Sequence, residues 1–392
     1  MNWLGFIELI RMIYGPKPID LKKIQHMGLL AVKIGQVHAL RLDFLPVSKC
    51  QELSRLYRMN DDIPAERVLE KINRSLFDSI EERPLASASV GQVHRAVYQG
   101  REVAVKIIKQ DFKKAFERDV RSVRNFVKAV LYFYPKLSRV FNPLGILEHI
   151  EEYTLQEIDL AREIKGQDTL TTIFESNQDR FDLSRLCFPH IYREISSSEM
   201  MVSELVGGKT FDELLNEKKL PYSELLDLFR IHGFFLFRVG TFHGDIHPGN
   251  IMLHQGKIYF IDTGAISTAS TRLSRGLLDF FDALSLYDYD QCAYSLNQMA
   301  EGQIEGEAFK RFKVKFHDLY RDFTDSTVAQ VSLTRKMMET IKLGVNCGMR
   351  FEQGMFPIIK SLMYLDGMVL RCNPNAILLK DMRKYIDELK PR

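Results

Sequence analysis

Residues 243–264 read HGDIHPGNIMLHQGKIYFIDTG, and this stretch decides the fold. Four residues separate Asp245 from Asn250, and a short apolar hairpin then leads to Asp262. Because the two strands of a hairpin begin and end at the same edge, we expect these polar side chains to lie near one another. The stretch therefore predicts a polar site at one edge of a small sheet.

This spacing is typical of phosphoryl transfer. That reaction needs a carboxylate to meet the acceptor hydroxyl, and an Asn and a second Asp to hold a divalent metal against the nucleotide phosphates. Protein kinases supply these groups as H-R-D-x-x-x-x-N and D-F-G, whereas this chain has Gly244 for the Arg and Thr263 for the Phe. The sequence predicts Asp245 as a catalytic residue, with Asn250 and Asp262 as magnesium ligands.

The composition is that of an ordinary globular protein, since 45% of the 392 residues are hydrophobic and 27% are charged. A net charge of +3 argues against a dedicated nucleic-acid binder, so we expect no nucleic-acid partner. The five cysteines are scattered without a C-x-x-C pair, which indicates a reducing compartment and no structural zinc. Because no apolar run reaches the roughly 18–20 residues that span a bilayer, we expect a cytoplasmic protein without a transmembrane segment.

The first forty residues predict two helices. Residues 1–14 are strongly apolar, and their helix either docks onto the body of the fold or contacts a membrane surface peripherally. A second helix is predicted over residues 20–41, with Asp20 as its N-cap. It contains the sequence KIGQ at residues 33–36, where a mid-helix glycine costs about 1 kcal/mol relative to alanine. That cost indicates a close approach of the backbone to something, and core packing would explain it equally well.

Residues 84–109, PLASASVGQVHRAVYQGREVAVKIIK, predict a strand, a tight loop, and two further strands joined by a turn. Small residues and backbone N–H groups can cradle phosphate, although alanine restricts the backbone where glycine would not. Lys106, in Val-Ala-Val-Lys on the last strand, can neutralise the nucleotide phosphates. The predicted phosphate loop consists of Ala86, Ser87, Ala88, Ser89 and Val90.

A lysine in this position needs an acidic partner, because a buried lysine without a counter-charge is costly. The helical stretch LQEIDLARE offers Glu157, Asp159 and Glu163. Asp159 and Glu163 are four residues apart and share a helix face. We predict that Glu163 holds Lys106.

The remaining apolar periodicity predicts a mainly helical chain with a few strands. Helices are predicted over 47–58, 65–76, 110–167 with divisions at Pro135 and Pro143, 211–219 after a Thr210 cap, 223–242 and, with breaks, from 271 to the end. Strands are predicted over 188–195 and 200–205. The sum is an α+β fold with a small mixed lobe followed by a large helical lobe, and residues 243–264 lie at their junction.

These motifs together resemble those of the UbiB/ADCK group of atypical protein-kinase-like proteins, which is associated with isoprenoid quinone (ubiquinone) biosynthesis. That group carries K-x-G-Q (here Lys33 to Gln36), an alanine-rich loop, V-A-x-K (Lys106) and E-x-D (Glu157, Asp159). The kinase-like catalytic Asp, Asn and D-x-G follow in the same order. Five ordered motifs are far more specific than any one of them.

The resemblance implies a protein-kinase-like bilobal fold. Residues 1–80 would be a helical N-terminal extension, 81–206 an N-lobe with a small mixed sheet and a helical insertion, and 207–392 a large helical C-lobe. The extension would cover the cleft, so that Lys33, Gln36, Glu157 and Asp159 meet near the nucleotide.

The resemblance also implies an enzyme that uses ATP (or ADP) and Mg²⁺. Covering of the cleft would disfavour protein substrates, so that an ATPase, or a phosphotransferase acting on a prenyl-lipid or quinone precursor, is expected. The chain departs from the group in having Ile246 after Asp245, Thr263 in the D-x-G motif, and a charged C-terminal segment in place of membrane helices.

Two other functions remain open from the sequence. HGDIHPGN is close to the catalytic loop of aminoglycoside- or choline-type small-molecule kinases, although these do not need the motifs at 33–36 and 157–159. A nucleotide-binding pseudokinase scaffold is the other alternative. The paired histidines 243 and 247 lack a third metal-binding partner in the sequence, so a structural role is expected for them.

Overall fold

The computed structural model describes residues 1–39, 45–57, 69–70, 72–87, 91–108, 111–134, 143–352 and 354–390. The chain divides into two units with separate cores. The first contains Met1–Lys165 and Pro189–Leu205, and the second contains Gly166–Phe188 and Val206–Arg392. The mixture of helices and small sheets confirms the predicted α+β class. The division into three segments at residues 80 and 206 stays a prediction.

The strands form three small sheets. They are β1 (Ser79–Ser87), β2 (Gly91–Tyr98), β3 (Arg101–Ile108), β4 (Leu186–Cys187), β5 (Met200–Glu204), β6 (Lys209–Thr210), β7 (Thr241–His243), β8 (Ile251–His254), β9 (Lys257–Phe260) and β10 (Ile266–Thr268).

The first unit contains the antiparallel sheet β1-β2-β3-β5. Gln99 and Gly100 adopt positive φ angles of 50° and 71° in the turn between β2 and β3, as a two-residue hairpin requires. The strand predicted over 188–195 is wrong. There the chain makes only an isolated bridge from Ile191 to Ser203 and a 3₁₀ turn at Arg193–Ile195.

Helices pack against one another in a second core of the first unit. Its described helices are α1 (Trp3–Tyr14), α2 (Leu21–His26), α3 (Leu29–Ala39), α4 (Val47–Ser54), α5 (Asp111–Phe133) and α6 (Pro143–Glu157), and α7 (Leu160–Asn177) begins in this unit. Leu9 and Ile13 of α1 are fully buried, while Trp3 and Leu4 are exposed. Docking of α1 onto the unit is thus observed, and membrane contact stays a prediction.

The single helix predicted over residues 20–41 is wrong, because the chain breaks between α2 and α3. Asp20 caps α2 as predicted, its carboxylate accepting a hydrogen bond from the Lys23 backbone N–H at 3.0 Å. The break falls at Gly28, whose φ of +99° is incompatible with a continuous right-handed helix. Residues 40–41 lie outside the described chain.

The two short helices predicted next are only partly present. Helix α4 ends at Ser54 and a 3₁₀ turn, Arg55–Tyr57, continues it. The described part of the segment predicted as helix 65–76 has a 3₁₀ turn at Arg74–Leu76, and most of the rest lies outside the described residues.

The second unit contains the four-stranded sheet β4-β9-β8-β6 and the pair β7-β10. The β4–β9 contact is parallel, and the other pairs are antiparallel. Its described helices are α8 (Phe211–Asn216), α9 (Tyr222–Gly233), α10 (Thr271–Ser285), α11 (Tyr289–Met299), α12 (Gly306–Tyr320), α13 (Leu333–Asn346), α14 (Met355–Cys372) and α15 (Leu378–Leu389).

The helix cap predicted at Thr210 in this unit is confirmed. Thr210 and Glu213 form a reciprocal capping box at the start of α8. The long helix predicted over 223–242 is confirmed as far as residue 239, with α9 passing into a π-helical turn at Phe234–Val239, and is wrong only over residues 240–242. Gly240, at φ +78°, then ends the turn and starts the chain into β7.

The core of the second unit is rich in phenylalanine. Phe280, Phe312 and Phe316 are fully buried, and each such side chain contributes about 1.5–3 kcal/mol by leaving water. This helical core holds the small sheet that carries the polar site. No helix among the described residues combines the length and apolarity required to cross a bilayer.

Candidate functional site

Lys106 and Glu163 form an ion pair within the first unit. Lys106 lies on β3, opposite Val93 and Met201, and its Nζ is 2.9 and 2.7 Å from the two carboxylate oxygens of Glu163. The two side chains are 15% and 7% exposed, so the pair is largely shielded from water. Glu163 lies in the first turn of α7, where the helix dipole favours a negative charge. The structure therefore places Glu163, of the three candidate acids, against the strand lysine.

The other two acids have different partners. Glu157, at the end of α6, forms an ion pair with the buried ammonium of Lys33, which also lies 5.9 Å from the centre of the Tyr153 ring. Asp159 accepts a hydrogen bond from the backbone N–H of Ala161 at 3.1 Å. That hydrogen bond stabilises the first turn of α7. Lys33 and Glu157 thus contact each other, as the resemblance implies. The hydrogen bond of Asp159, in contrast, is local to the start of α7.

The remaining residues of the K-x-G-Q motif are packed into the first unit. Gln36 donates a hydrogen bond from Nε2 to the carbonyl of Leu56 at 3.2 Å. A Cβ atom at Gly35 would lie 2.5 Å from Leu56 Cδ1 and 3.5 Å from Leu53. Core packing between α3 and α4 is therefore a sufficient reason for the mid-helix glycine.

The predicted phosphate loop is described only at its first residues. Ala86 pairs with Val93 and Ser87 pairs with Gln92, so both belong to the β1–β2 hairpin. Ala88, Ser89 and Val90 lie outside the described residues.

In the second unit, the β8–β9 hairpin brings three predicted site residues to one edge. Ile251 pairs with Phe260, and the Ile261 backbone N–H donates to the Asn250 carbonyl at 3.0 Å. Asn250 and Asp262 therefore stand beside each other where the two strands end. The Asn250 side chain also donates from Nδ2 to the Asp245 carbonyl at 3.0 Å, which ties the third residue to the same edge.

Two glycines permit the backbone to pass close to this edge. A Cβ atom at Gly244 would lie 2.2 Å from Ser267 Oγ and 3.1 Å from the Ala265 carbonyl oxygen. The arginine that protein kinases carry here would require the Ser267 hydroxyl to rotate away and the backbone at Ala265 to shift slightly. A Cβ atom at Gly166, in α7, would lie 2.1 Å from the Thr263 carbonyl oxygen, next to Asp262.

The two histidines of the loop have structural contacts. His243 Nδ1 accepts a hydrogen bond from the Asp245 backbone N–H at 3.1 Å. Burial lowers the pKa of His243, and the charges of Asp245 and Asp262 only partly oppose that effect. His247 Nδ1 accepts from the Gly249 backbone N–H at 3.1 Å and shapes the turn before Asn250.

The donor set fits magnesium. Asp262 offers a carboxylate, of which Oδ1 accepts a hydrogen bond from the Gly264 backbone N–H at 3.2 Å. Asn250 donates its Nδ2 to the Asp245 carbonyl, and its amide oxygen is the atom that can serve as a metal ligand. Magnesium prefers hard oxygen ligands and binds through one or two protein groups plus substrate phosphates. No cluster of three or more His, Cys, Asp or Glu suited to a metal occurs in the described parts of the chain.

Sequence reasoning missed Lys360. It lies on α14, far along the chain, and its Nζ is 3.0 Å from Asp245 Oδ1 with only 10% of the side chain exposed. The available signal was a single lysine inside the apolar run PIIKSLMYL, where a buried charge requires a partner.

His232 packs against β7, its ring meeting that of Phe242 edge-on at 5.7 Å, and its burial predicts a pH effect on stability. Burial lowers its pKa from 6.5 to about 3, and neither ring nitrogen has a hydrogen-bond partner among the described residues. Below pH 6.5 the His232 imidazole binds a proton in the unfolded chain but not in the folded chain. The free energy of unfolding therefore decreases as the pH falls below 6.5. Between pH 7 and pH 5, we expect the free energy of unfolding of His232→Phe to fall by about 2 kcal/mol less than that of the wild type.

Urea denaturation at both pH values measures this difference. The exposed His26, replaced by Phe, is the control and should leave the pH dependence as in the wild type. An unchanged pH dependence in His232→Phe would show that His232 does not stay neutral in the fold.

Comparison with known proteins identifies kinase-like relatives of this chain. The family model described as the ABC1 atypical kinase-like domain matches residues 62–296. An uncharacterized chloroplastic aarF domain-containing protein kinase from Arabidopsis thaliana is 23% identical over 403 residues, which cover 93% of this chain and 74% of that protein. The probable protein kinase UbiB of Aeromonas hydrophila is 25% identical, over 92% of this chain and 68% of its own length.

A solved structure shows a similar fold. The complex of Rv3197 with erythromycin from Mycobacterium tuberculosis aligns with a TM-score of 0.56 and 20% identity, covering 98% of this chain and 90% of that one. At this identity the likeness concerns the fold alone.

Proposed function

This chain belongs to the family of ABC1 atypical kinase-like domains, and we propose that it binds ATP (or ADP) with magnesium and acts as a phosphotransferase or an ATPase. The family match and the UbiB relatives confirm the predicted resemblance to the UbiB/ADCK group and its kinase-like fold. The observation that carries the proposal is the convergence of Asp245, Asn250 and Asp262 at one edge of the β8–β9 hairpin.

Each of these residues has a chemical role in the proposal. Asn250 and Asp262 hold magnesium, which when bound neutralises charge on the nucleotide phosphates. Lys106 contacts the phosphates, and Glu163 keeps its ammonium oriented through the two contacts at 2.9 and 2.7 Å. The backbone of the Ala86–Val90 segment and the residues Lys33, Gln36, Glu157 and Asp159 are the remaining nucleotide contacts in the proposal.

Asp245 orients the nucleophile in this proposal. The acceptor oxygen attacks the γ-phosphorus, and the bond from that phosphorus to the bridging oxygen of ADP breaks. The acceptor proton passes to the Asp245 carboxylate and then to solvent, so the products are ADP and a phosphorylated acceptor, or free phosphate when water attacks.

The proposed physiological setting is isoprenoid quinone biosynthesis, which the resemblance to the UbiB group implies. A prenyl-lipid or quinone precursor would then be the acceptor or the regulator of ATP turnover. The exposed Trp3 and Leu4 of α1 support peripheral contact with the membrane in which such lipids reside. ATP turnover with and without a prenyl-phenol lipid separates a lipid-dependent enzyme from a lipid-independent one.

Asp262→Asn tests the proposal. Replacing the carboxylate by an amide removes the charge that attracts magnesium, so we expect the magnesium-dependent gain in nucleotide affinity to fall by at least tenfold. Isothermal titration of ATP with and without magnesium measures it.

The control is Asp318→Asn, an exposed aspartate on α12 that undergoes the same change of charge. It should bind MgATP as the wild type does. Wild-type protein that does not bind MgATP would refute the proposed function, and unchanged magnesium dependence in Asp262→Asn would refute the metal assignment alone.

A further inference from the structure

The contact between Lys360 and Asp245 bears on the identity of the acceptor. Lys360 Nζ lies 3.0 Å from Asp245 Oδ1 as an ion pair, and Oδ1 is buried without a hydrogen-bond partner in the described part of the chain. Buried polar oxygens are nearly always hydrogen-bonded. Oδ1 is thus stabilised by the charge of Lys360, and because 25% of the Asp245 side chain is exposed, an acceptor meets the carboxylate at its other oxygen.

The lysine is held in place by its surroundings on α14. Its Nζ lies 5.8 Å from the centre of the Tyr364 ring, one helical turn along, and that ring meets His247 edge-on at 5.1 Å. Further along the helix, Asp366 Oδ2 accepts hydrogen bonds from Ser332 Oγ at 2.5 Å and from the Thr334 backbone N–H at 3.3 Å. These contacts fix α14 to the start of α13, so the ammonium is part of a rigid element.

The position of Lys360 affects the electrostatic potential at an acceptor bound to Asp245. A hydroxyl that donates to the Asp245 carboxylate lies about 3 Å from the accepting oxygen, and hence within about 8 Å of the Lys360 ammonium. That distance does not exceed the Debye length of about 8 Å, and both side chains are mostly buried, so salt screens the interaction only weakly. The ammonium offsets the charge of the carboxylate, so a cationic acceptor would lose the attraction of an unpaired carboxylate and would still have to leave water, whereas a neutral acceptor would not be affected.

We propose that Lys360 determines the acceptor class of this site, selecting neutral hydroxyl groups (alcohols, phenols or water) and excluding cationic alcohols such as choline and aminoglycosides. This proposal rests on the proposed phosphoryl transfer at Asp245. The acceptor oxygen forms its bond to the γ-phosphorus, ADP leaves, and the proton moves to Asp245. Lys360 keeps its own protons and acts as a positioning residue.

The test uses two acceptors that differ only in charge. Choline and its neutral isostere 3,3-dimethyl-1-butanol are offered to the full-length protein with MgATP, and phosphorylated product is measured by mass spectrometry. We expect the wild type to favour the neutral alcohol at least tenfold in kcat/KM. Lys360→Met should bring this ratio to near one, and Lys360→Arg, which keeps the charge, should retain the preference.

The control is Lys384→Met. Lys384 is an exposed lysine on α15 that also lies beside a tyrosine, 4.5 Å from the ring centre of Tyr385, so the change in charge and ring contact is matched. It should behave as the wild type. Because the readout is a ratio for one enzyme, a general loss of rate in Lys360→Met does not affect it.

Several outcomes would overturn the proposal. These are a wild type that prefers choline, a ratio that is the same in Lys360→Met as in wild type, and an equal change in Lys384→Met. If neither compound is phosphorylated, their inhibition constants against ATP hydrolysis are compared, and equal constants in the wild type would also overturn it. A wild type without MgATP binding or turnover would instead refute the proposed function, which the titrations with Asp262→Asn measure separately. Wild-type discrimination is informative even if Lys360→Met fails to fold.

Discussion

Gly166→Ala should weaken magnesium-dependent nucleotide binding at least tenfold although it adds a single methyl group. The added Cβ would lie 2.1 Å from the Thr263 carbonyl oxygen and 3.1 Å from Ile266 Cγ1, and a backbone oxygen cannot rotate away as a side chain can. Either α7 or the loop carrying Asp262 must move. We expect a loss of about 1–3 kcal/mol in the free energy of unfolding and at least a tenfold loss of MgATP affinity.

Gly367→Ala is the matched control. Gly367 also lies inside a helix, but a Cβ atom there would meet nothing within 4 Å among the described residues. Because alanine is the better helix former, this variant should gain up to about 1 kcal/mol in stability and keep its affinity. Urea denaturation and titration calorimetry measure both quantities. Wild-type affinity in Gly166→Ala would mean that the position of the Asp262 loop does not limit metal binding.

Glu163→Gln should destabilise the first unit and weaken nucleotide binding. The substitution leaves the Lys106 ammonium, 15% exposed, without the carboxylate that lies 2.7 Å from it. Breaking a buried pair from one side costs about 3 kcal/mol, most of it the desolvation of the remaining charge. We expect this loss in the free energy of unfolding, together with about a tenfold drop in ATP affinity because Lys106 is no longer held toward the phosphates.

A double-mutant cycle with Lys106→Met isolates the pair. Removing both charges should cost less than the sum of the single changes, with a coupling energy of about 2 kcal/mol. Glu157→Gln is the comparison, since Glu157 pairs with Lys33, and its cycle with Lys106→Met should show no comparable coupling. Strong coupling of Lys106 to Glu157 instead would contradict the observed partner choice.

The roles of Lys106 and Lys360 differ in a way that affects how variants are interpreted. Lys106 faces a carboxylate that has no proposed chemical step, so its loss should act on nucleotide affinity. Lys360 faces Asp245, the proposed proton acceptor, so its loss should act on the choice of acceptor. Measurements of binding and of acceptor preference therefore separate the two lysines.

Local spacing was sufficient to predict much of the site. Asn250 and Asp262 are joined by a short hairpin. Because the rise per residue along a strand is nearly fixed, the two ends of such a hairpin must lie close together. For the same reason Lys106 on its strand and the Asp20 and Thr210 caps were predictable, since each depends on residues a few positions away. Helix ends were predicted less well where a single glycine breaks the pattern, as Gly28 does between α2 and α3.

The sequence by itself determined which residue types stand at the hairpin edge and in what order, because hairpins and caps are local. Only the tertiary structure decided which acid holds Lys106, why Gly244 and Gly166 carry no side chain, and that Lys360 reaches Asp245. These facts depend on how helices distant in sequence pack against the sheet, and helical periodicity specifies which face is buried but not what that face contacts.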